Sequence, residues 1–574
     1  MDKNTLVRWA TIALLVGAVM WGKDHFFGGK HEETAAAIPS ETYVDAPGFE
    51  GDSLGETCTI QGDRFTAKLS SIGAAITHFN LRDPQYDGLD VSTTPDHERW
   101  RSLRTLFRGE GADDQIAFDR FPWTLQQLPN GCEFTYEDAS VSIDKTVTAG
   151  QRPFELDIKT SVTNKAAEAK RHRFSIASYA FRTNGETKGH LGRVSPFVTD
   201  LQCARDKDVT RKQKDDFKEG WFSEPLVDRY AAVSNYFFAQ AMVPSVGYEG
   251  DKAGVESAKP ECALRAEPVK APGQEFDADA SGAIYHAVLK WPAVSLAPGG
   301  KAVYEQIAYF GPKERDVLAK AAGEKPRLGS LINLGFFSPV ARALVATLVF
   351  FHSFLVSWGF SIIAMTLCLR IGLFPLSLKQ IHTTIAMRRI KPEIDGLSKK
   401  FPDDQQARQM AMMELYRKHG INPLGGCLPQ LVQLPIWWAM WATLQTAVEM
   451  YHERFLWIAD LSAPDKLFIL PVVYGVCIVL QQRIVPQQGM DPMQQKLMTW
   501  VMPIMFTAFV LFVPAALGLY MLTSSALGIA QQLVVEKIAP RNPPGSAKKG
   551  EIVVKQVNDA APKAPAFGKG KARV

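Results

Sequence analysis

The sequence predicts a multi-domain membrane protein: an α-helical bundle of five core transmembrane helices plus an N-terminal anchor helix, with a large exported β-sandwich domain and a cytoplasmic helical hairpin. Three observations carry this. Residues 30–325 are polar with many short alternating segments, whereas 330–540 hold most of the long apolar runs, so a mean hydropathy near zero conceals two different halves. Basic residues concentrate in alternate loops of the apolar half. The amino terminus opens on one short apolar run behind basic residues. The formal net charge of the 574 residues is only +4, which gives no ground for a specific nucleic-acid binder.

In chain order, residues 1–29 carry Lys3 and Arg8 and then an apolar run from Trp9 to Gly22. The run reads as an uncleaved anchor; the alternative is a signal peptide cut near Ala35–Ala37, further from the run than such sites usually sit. Either way the basic flank keeps the amino terminus in the cytoplasm and sends the residues after the run across the membrane. Residues 30–56 form a linker.

Residues 57–325 are β-rich. RFTAKLSSIGAAITHFNL, CEFTYEDASVSIDKTVTA, FELDIKTSVTN and AVYEQIAYFG alternate as strands do, between Gly, Pro and Asn. No catalytic constellation stands out: His172, His190 and His286 are isolated, and no G-x-S-x-G, HExxH or cysteine metal pattern occurs. No cofactor is implied. Cys58, Cys132, Cys203 and Cys262 form an even set in an exported region; three pairings, or free buried thiols, fit equally.

Residues 330–354 suit an amphipathic helix lying in the interface, interrupted by Arg342 and His352. The core, 355–540, holds spans near 355–376, 428–447 and 467–482 and a final run, 497–535, that is too long for one crossing and splits at Pro514. The loop Lys379–His419 has nine Lys/Arg against five Asp/Glu, the 449–466 loop two against four, and the 483–496 loop two against one. That alternation gives six spans in all, both termini in the cytoplasm and residues ~30–330 outside it.

The first core span contains a misfit. Arg370 lies roughly 18 Å along the helix from Trp358, at 1.5 Å per residue, and well before the next basic residue, Lys379. An arginine inside hydrocarbon costs about 2.5 to 3.5 kcal/mol on insertion scales, so something must make the position tolerable. Thr366 falls one turn earlier on the same face.

Residues 379–420 read as the helical hairpin, turned at FPDD, with Asp403 and Gln406 placed as a capping box and Gly420 as a C-cap. Met387, Arg388, Arg389, Met410 and Met413 would give it an adaptable, basic surface for client capture; ordinary hairpin packing is the other reading of the methionines. The tail, 541–574, has eight Lys/Arg against two acids and a disordered composition, suited to ribosomal RNA, to anionic lipid or to solubility alone.

SWGFSIIAMTLCLRIGLFPL, the hairpin, YRKHGINPLGGCLPQLVQLPIW, LWIADLS, DPMQQKLMTWVMPIMF and AALGLYMLTSSALGIAQQ together resemble the YidC/Oxa/Alb family of membrane protein insertases, over about 200 residues and in the same order. The anchor and β domain are similar to the Gram-negative form, which makes the exported domain periplasmic and the membrane the inner membrane. The resemblance implies a hydrophilic groove, open to cytoplasm and lipid, with Arg370 inside it, solvated by groove water. Gln433, Tyr520, Gln531 and Gln532 are placed with Arg370 and Thr366 as groove residues; for the glutamines, interhelical hydrogen bonding is the rival reading. Many relatives have a Tyr-Tyr pair where Tyr520 is followed by Met521, which puts any client contact of the second position in doubt.

The implied activity is insertion and assisted folding of nascent membrane proteins, alone or beside the Sec translocon, without nucleotide hydrolysis; no G-x-x-x-x-G-K-[ST] motif occurs. Two rivals are a secondary transporter, which calls for internal repeats not visible here, and a membrane-anchored periplasmic assembly scaffold, which leaves Arg370 unexplained.

Overall fold

The structure is a computed structural model describing residues 55–538, apart from 87, 94–99, 110–120, 188–194, 218–219, 245–258, 270–280, 324–327, 402–403, 422–423 and 485–496. The anchor, most of the linker and the tail lie outside the described residues.

The exported half consists of antiparallel sheets of three, nine and six strands sharing one apolar core. Alternation makes them. In strand Val141–Ala149, Val141, Ile143, Lys145 and Val147 point inward and their neighbours less so, which is the period of a pleated strand. The four segments read as strands from sequence are strands, at Phe65–Ser70 with Ala75–Leu81, Gly131–Glu137 with Val141–Ala149, Glu155–Asn164 and Lys301–Pro312.

Both cysteine pairs are bonded, Cys58 to Cys132 and Cys203 to Cys262, with Cα atoms 6.2 and 6.0 Å apart. Each bond joins two sheets. Cys132 and Cys203 sit in the nine-stranded sheet, Cys58 in the three-stranded and Cys262 in the six-stranded one. Of the alternatives left by the sequence, the structure selects one pairing.

Lys145 occupies an inward position of its strand and is fully buried. Its ammonium donates to the carbonyls of Ala74 at 2.7 Å and Leu103 at 2.5 Å. Burial pushes its pKa down to about 7.

The helical half comprises α1 (Ser338–Leu355), α2 (Trp358–Gly372), α3 (Phe374–Arg389), α4 (Lys391–Lys400), α5 (Gln405–Lys418), α6 (Leu424–Gln445), α7 (Ile469–Ile484), α8 (Met502–Val510) and α9 (Ala515–Ile538). Pro514 separates α8 from α9, as the sequence predicts, because proline follows a helix more readily than it continues one. α1 buries Ala341, Leu344 and Leu348 against α2 and α6 and exposes Val349, Phe350 and Phe354. Its interfacial placement is one reading; α1 and α9 are also the helices long and apolar enough to cross a membrane by length and composition, with α2–α3 a third as a bent pair. α7 and the α8 segment are apolar but shorter, so the six-span count goes beyond what helix length alone supports among the described residues.

Two expectations change here. The first core span does not run straight to residue 376: α2 stops at Gly372, and α3 leaves at 66°. Pro375, in the first turn of α3, supplies no N–H to continue the helix and its ring crowds the preceding carbonyls. The first hairpin arm is accordingly two helices, α3 and α4. The N-cap of α5 is Asp404, whose carboxylate accepts from the Ala407 amide at 2.9 Å; Asp403 lies outside the described residues. Gly420 has φ +64°, the left-handed conformation suited to a helix end.

The halves meet at the loop between α6 and α7. The Tyr451 ring lies 6.2, 5.5 and 5.6 Å from those of Tyr86, Phe237 and Phe238. The Gln85 amide donates to the carbonyls of Val448, Glu449 and Tyr451 at 3.3, 3.2 and 2.9 Å. Arg315 pairs with Glu449 at 2.6 Å.

Candidate functional site

α2 delivers Arg370 in its last turn, just ahead of the bend, and the guanidinium crosses to α9. Its Nη2 donates to the Ser524 carbonyl oxygen and to the Ser524 Oγ, both at 2.7 Å. One turn on, Gly528 presents bare backbone: a Cβ there would stand 3.4 Å from Nη2. In return Gln531 Nε2 donates to the Arg370 carbonyl at 3.3 Å, one of the carbonyls a helix end leaves short of partners.

This revises the expectation of a guanidinium held by groove water alone. One nitrogen is bonded between helices, while the residue as a whole stays half-buried. Among the described residues no carboxylate pairs with Arg370. The position is made tolerable in part by a helix carbonyl and a hydroxyl, which stabilise a cation without cancelling its charge.

The other sequence-predicted residues separate. Thr366 is 1% exposed, and its hydroxyl bonds its own helix at the Ile362 carbonyl, 2.6 Å away. Its shared face with Arg370 therefore leads into the core and not to an accessible surface. Gln433, half-exposed on α6, donates to the Tyr520 hydroxyl at 3.3 Å. Tyr520 and Met521 are buried in the helical core, so the Met that replaces an aromatic is a packing residue here. Gln532 is buried and donates to Glu536 at 2.6 Å. Tyr520, Ser524, Gly528 and Gln531, spaced by 4, 4 and 3, form one polar face of α9.

On the hairpin the methionines divide. Met387 and Met412 pack around Ile390, Ile394 and Tyr416, the bland reading; Met410 and Met413 are 63% and 68% exposed, as a capture surface requires. Arg388 pairs with Glu536 at 3.0 Å and also donates to the Ile484 carbonyl, so its charge is committed to the ends of α9 and α7. Arg389 is exposed. A depression of about 490 Å³ lies between α7 and α8, lined by Val476, Val479, Ile504 and Leu511. It is apolar and includes none of the polar face.

Sequence reasoning missed Ser524 and Gly528. The signal was present as a small-x-x-x-small pattern in SSALG, which permits close helix approach.

The chain is similar to known proteins over most of its length. The profile described as YidC periplasmic domain matches residues 57–347, and that of the 60Kd inner membrane protein matches 350–542. A "Membrane protein insertase YidC" of Anaeromyxobacter sp. (strain K) is 36% identical over 515 residues, covering 86% of this chain and 87% of the relative. One of Vibrio atlanticus (strain LGP32) is 28% identical, covering 88% and 91%. The crystal structure of an active YidC insertase with its first transmembrane domain resolved covers 82% of this chain and 91% of its own, at 18% identity and a TM-score of 0.35.

Proposed function

Since the chain belongs to the YidC family of inner-membrane protein insertases, a family whose members are not enzymes, we propose that its insertase activity runs along the face where Arg370 of α2 meets α9. That membership sets aside the transporter and scaffold readings. A client's polar terminus or short loop, often acidic, enters from the cytoplasm and is held transiently by Arg370 in a partly desolvated setting. Its apolar segment then slides past the lipid-facing side and partitions into the bilayer. Each central Leu or Ile contributes about −0.3 to −0.6 kcal/mol, so a span supplies the driving force without a nucleotide. The observation that carries this reading is a half-buried cation with no carboxylate partner among the described residues.

Several finer features belong to the same proposal. The core comprises five spans in residues 355–540, preceded by an interfacial 330–354 helix, a periplasmic 57–325 domain, a 30–56 linker and a 1–29 anchor, with both termini cytoplasmic. The 379–420 hairpin meets clients first, through Met410 and Met413, which are exposed. Gln433 and Gln531 line the polar face and Tyr520 supports it from the core, while Thr366, Met521 and Gln532 pack away from it. The Sec translocon is a partner for some clients, and the basic 541–574 tail contacts the ribosome or anionic lipid.

Replacing Arg370 with alanine in full-length protein, reconstituted in vesicles, is expected to reduce insertion of clients with acidic translocated segments. Unchanged insertion across several such clients would show that the arginine is misassigned.

A further inference from the structure

We propose that Ser524 and Gly528 are positioning residues for Arg370, forming a seat on α9 that orients the guanidinium toward an incoming acidic segment. The inference rests on the insertase role of Arg370 given above and deepens it.

Helical side chains lean toward the helix amino terminus, so a side chain at position 528 would lie over the carbonyl of residue 524. Glycine leaves that carbonyl bare. The Arg370 Nη2 takes the opening, with Ser524 O and Oγ each 2.7 Å away. A Cβ on Gly528 would meet Nη2 at 3.4 Å and Nη1 at 3.5 Å, already in van der Waals contact, so a longer side chain there would have no room unless the guanidinium moved off the carbonyl. Gln531 holds the backbone of the same arginine through its carbonyl, at 3.3 Å.

The seat engages one terminal nitrogen of the guanidinium fork and leaves the rest of the plane for a ligand. A fixed fork matches a carboxylate in two parallel hydrogen bonds; a freely rotating one loses entropy on doing so. Position thus becomes charge selectivity: the seat favours clients with carboxylates in the translocated segment and is indifferent to neutral ones.

The test uses full-length protein in proteoliposomes and two clients that differ only in the acidic or neutral side chains of the translocated segment, with melting temperature measured alongside. Ser524→Ala is expected to lower the acidic-to-neutral insertion ratio roughly ten-fold, the lower end of the scale of one charge-assisted hydrogen bond. Ser524→Thr, which keeps the hydroxyl, restores it. Gly528→Leu, which covers the carbonyl, lowers the ratio as far as Arg370→Ala does. If both clients fall equally with the melting temperature, Ser524 is structural only and the proposal is overturned. If Arg370→Ala lowers the ratio while Ser524→Ala and Gly528→Leu do not, the seat is wrong and the role of Arg370 stands. If Arg370→Ala itself leaves the ratio unchanged, the reading beneath both fails.

Discussion

The β domain and the helical half each hold a basic side chain against backbone carbonyls, and they treat it in opposite ways. Lys145 is sealed in the sheet core, bonded to two carbonyls, and its ammonium can shed its proton; burial pushes it to about 7. Arg370 cannot deprotonate under any ordinary condition, and its site stays half open. A lysine can be hidden because a neutral form exists. Arg370 is kept at an edge where part of its charge remains available, unlike Arg101 and Arg104 of the β domain, which are 1% exposed. The surfaces differ likewise: among the described residues, the large apolar side chains left exposed are Leu226 in the β domain and many in the helical half, from Phe336 and Phe360 to Val476, Ile504 and Val534. The first half is finished for water and the second for lipid.

The largest expected effect removes what only the β domain has. Cys203→Ser with Cys262→Ser should destabilise that domain by about 4 kcal/mol in the chain-entropy picture for a loop of this size, read as an earlier unfolding transition while helical signal persists. Simultaneous loss of both signals would erase the distinction between the halves.

Next comes Lys145. Its folded pKa lies below its ordinary 10.5, so the unfolded chain binds more protons between about 7 and 10.5. The cost of burial is therefore full below that window and relieved as pH rises through it. Lys145→Met should lack the corresponding rise in melting temperature between neutral and alkaline pH; an identical pH profile in both proteins would contradict a sealed lysine.

Smaller effects are expected where the halves touch. Glu449→Gln keeps a hydrogen-bonding group opposite Arg315 but removes the charge, and should cost about 1 to 2 kcal/mol at the contact, seen as faster amide exchange in residues 448–452. Protection equal to the wild type would mean that Tyr451 and Gln85 hold the loop unaided. Least of all, Met413→Ser should leave stability within about 0.5 kcal/mol, since the side chain is exposed, yet weaken crosslinking to a stalled client.

Much of this contrast was legible in the sequence because alternation and long apolar runs are local signals. Strands such as Val141–Ala149 and the division at Pro514 come from them directly. The break at Gly372 was not read, although Pro375 marks it, because apolar composition continues across the bend. The cysteine pairing depends on which sheets face each other, a property of tertiary packing with no trace in spacing. The partner of Arg370 was hidden for the same reason: Ser524 lies 154 residues away, and its hydroxyl is unremarkable until two helices are brought together. Thr366 shows the converse, a polar residue at the expected spacing whose hydroxyl turns back on its own helix.

The docked loop at Tyr451 has a mechanical implication. Gln85 and Arg315 grip the turn that leads out of α6, and α6 carries Gln433 beside Tyr520 deep among the helices. A rocking of α6 would thus be felt as torque on the folded β domain, and whatever holds that domain still would stiffen the helix.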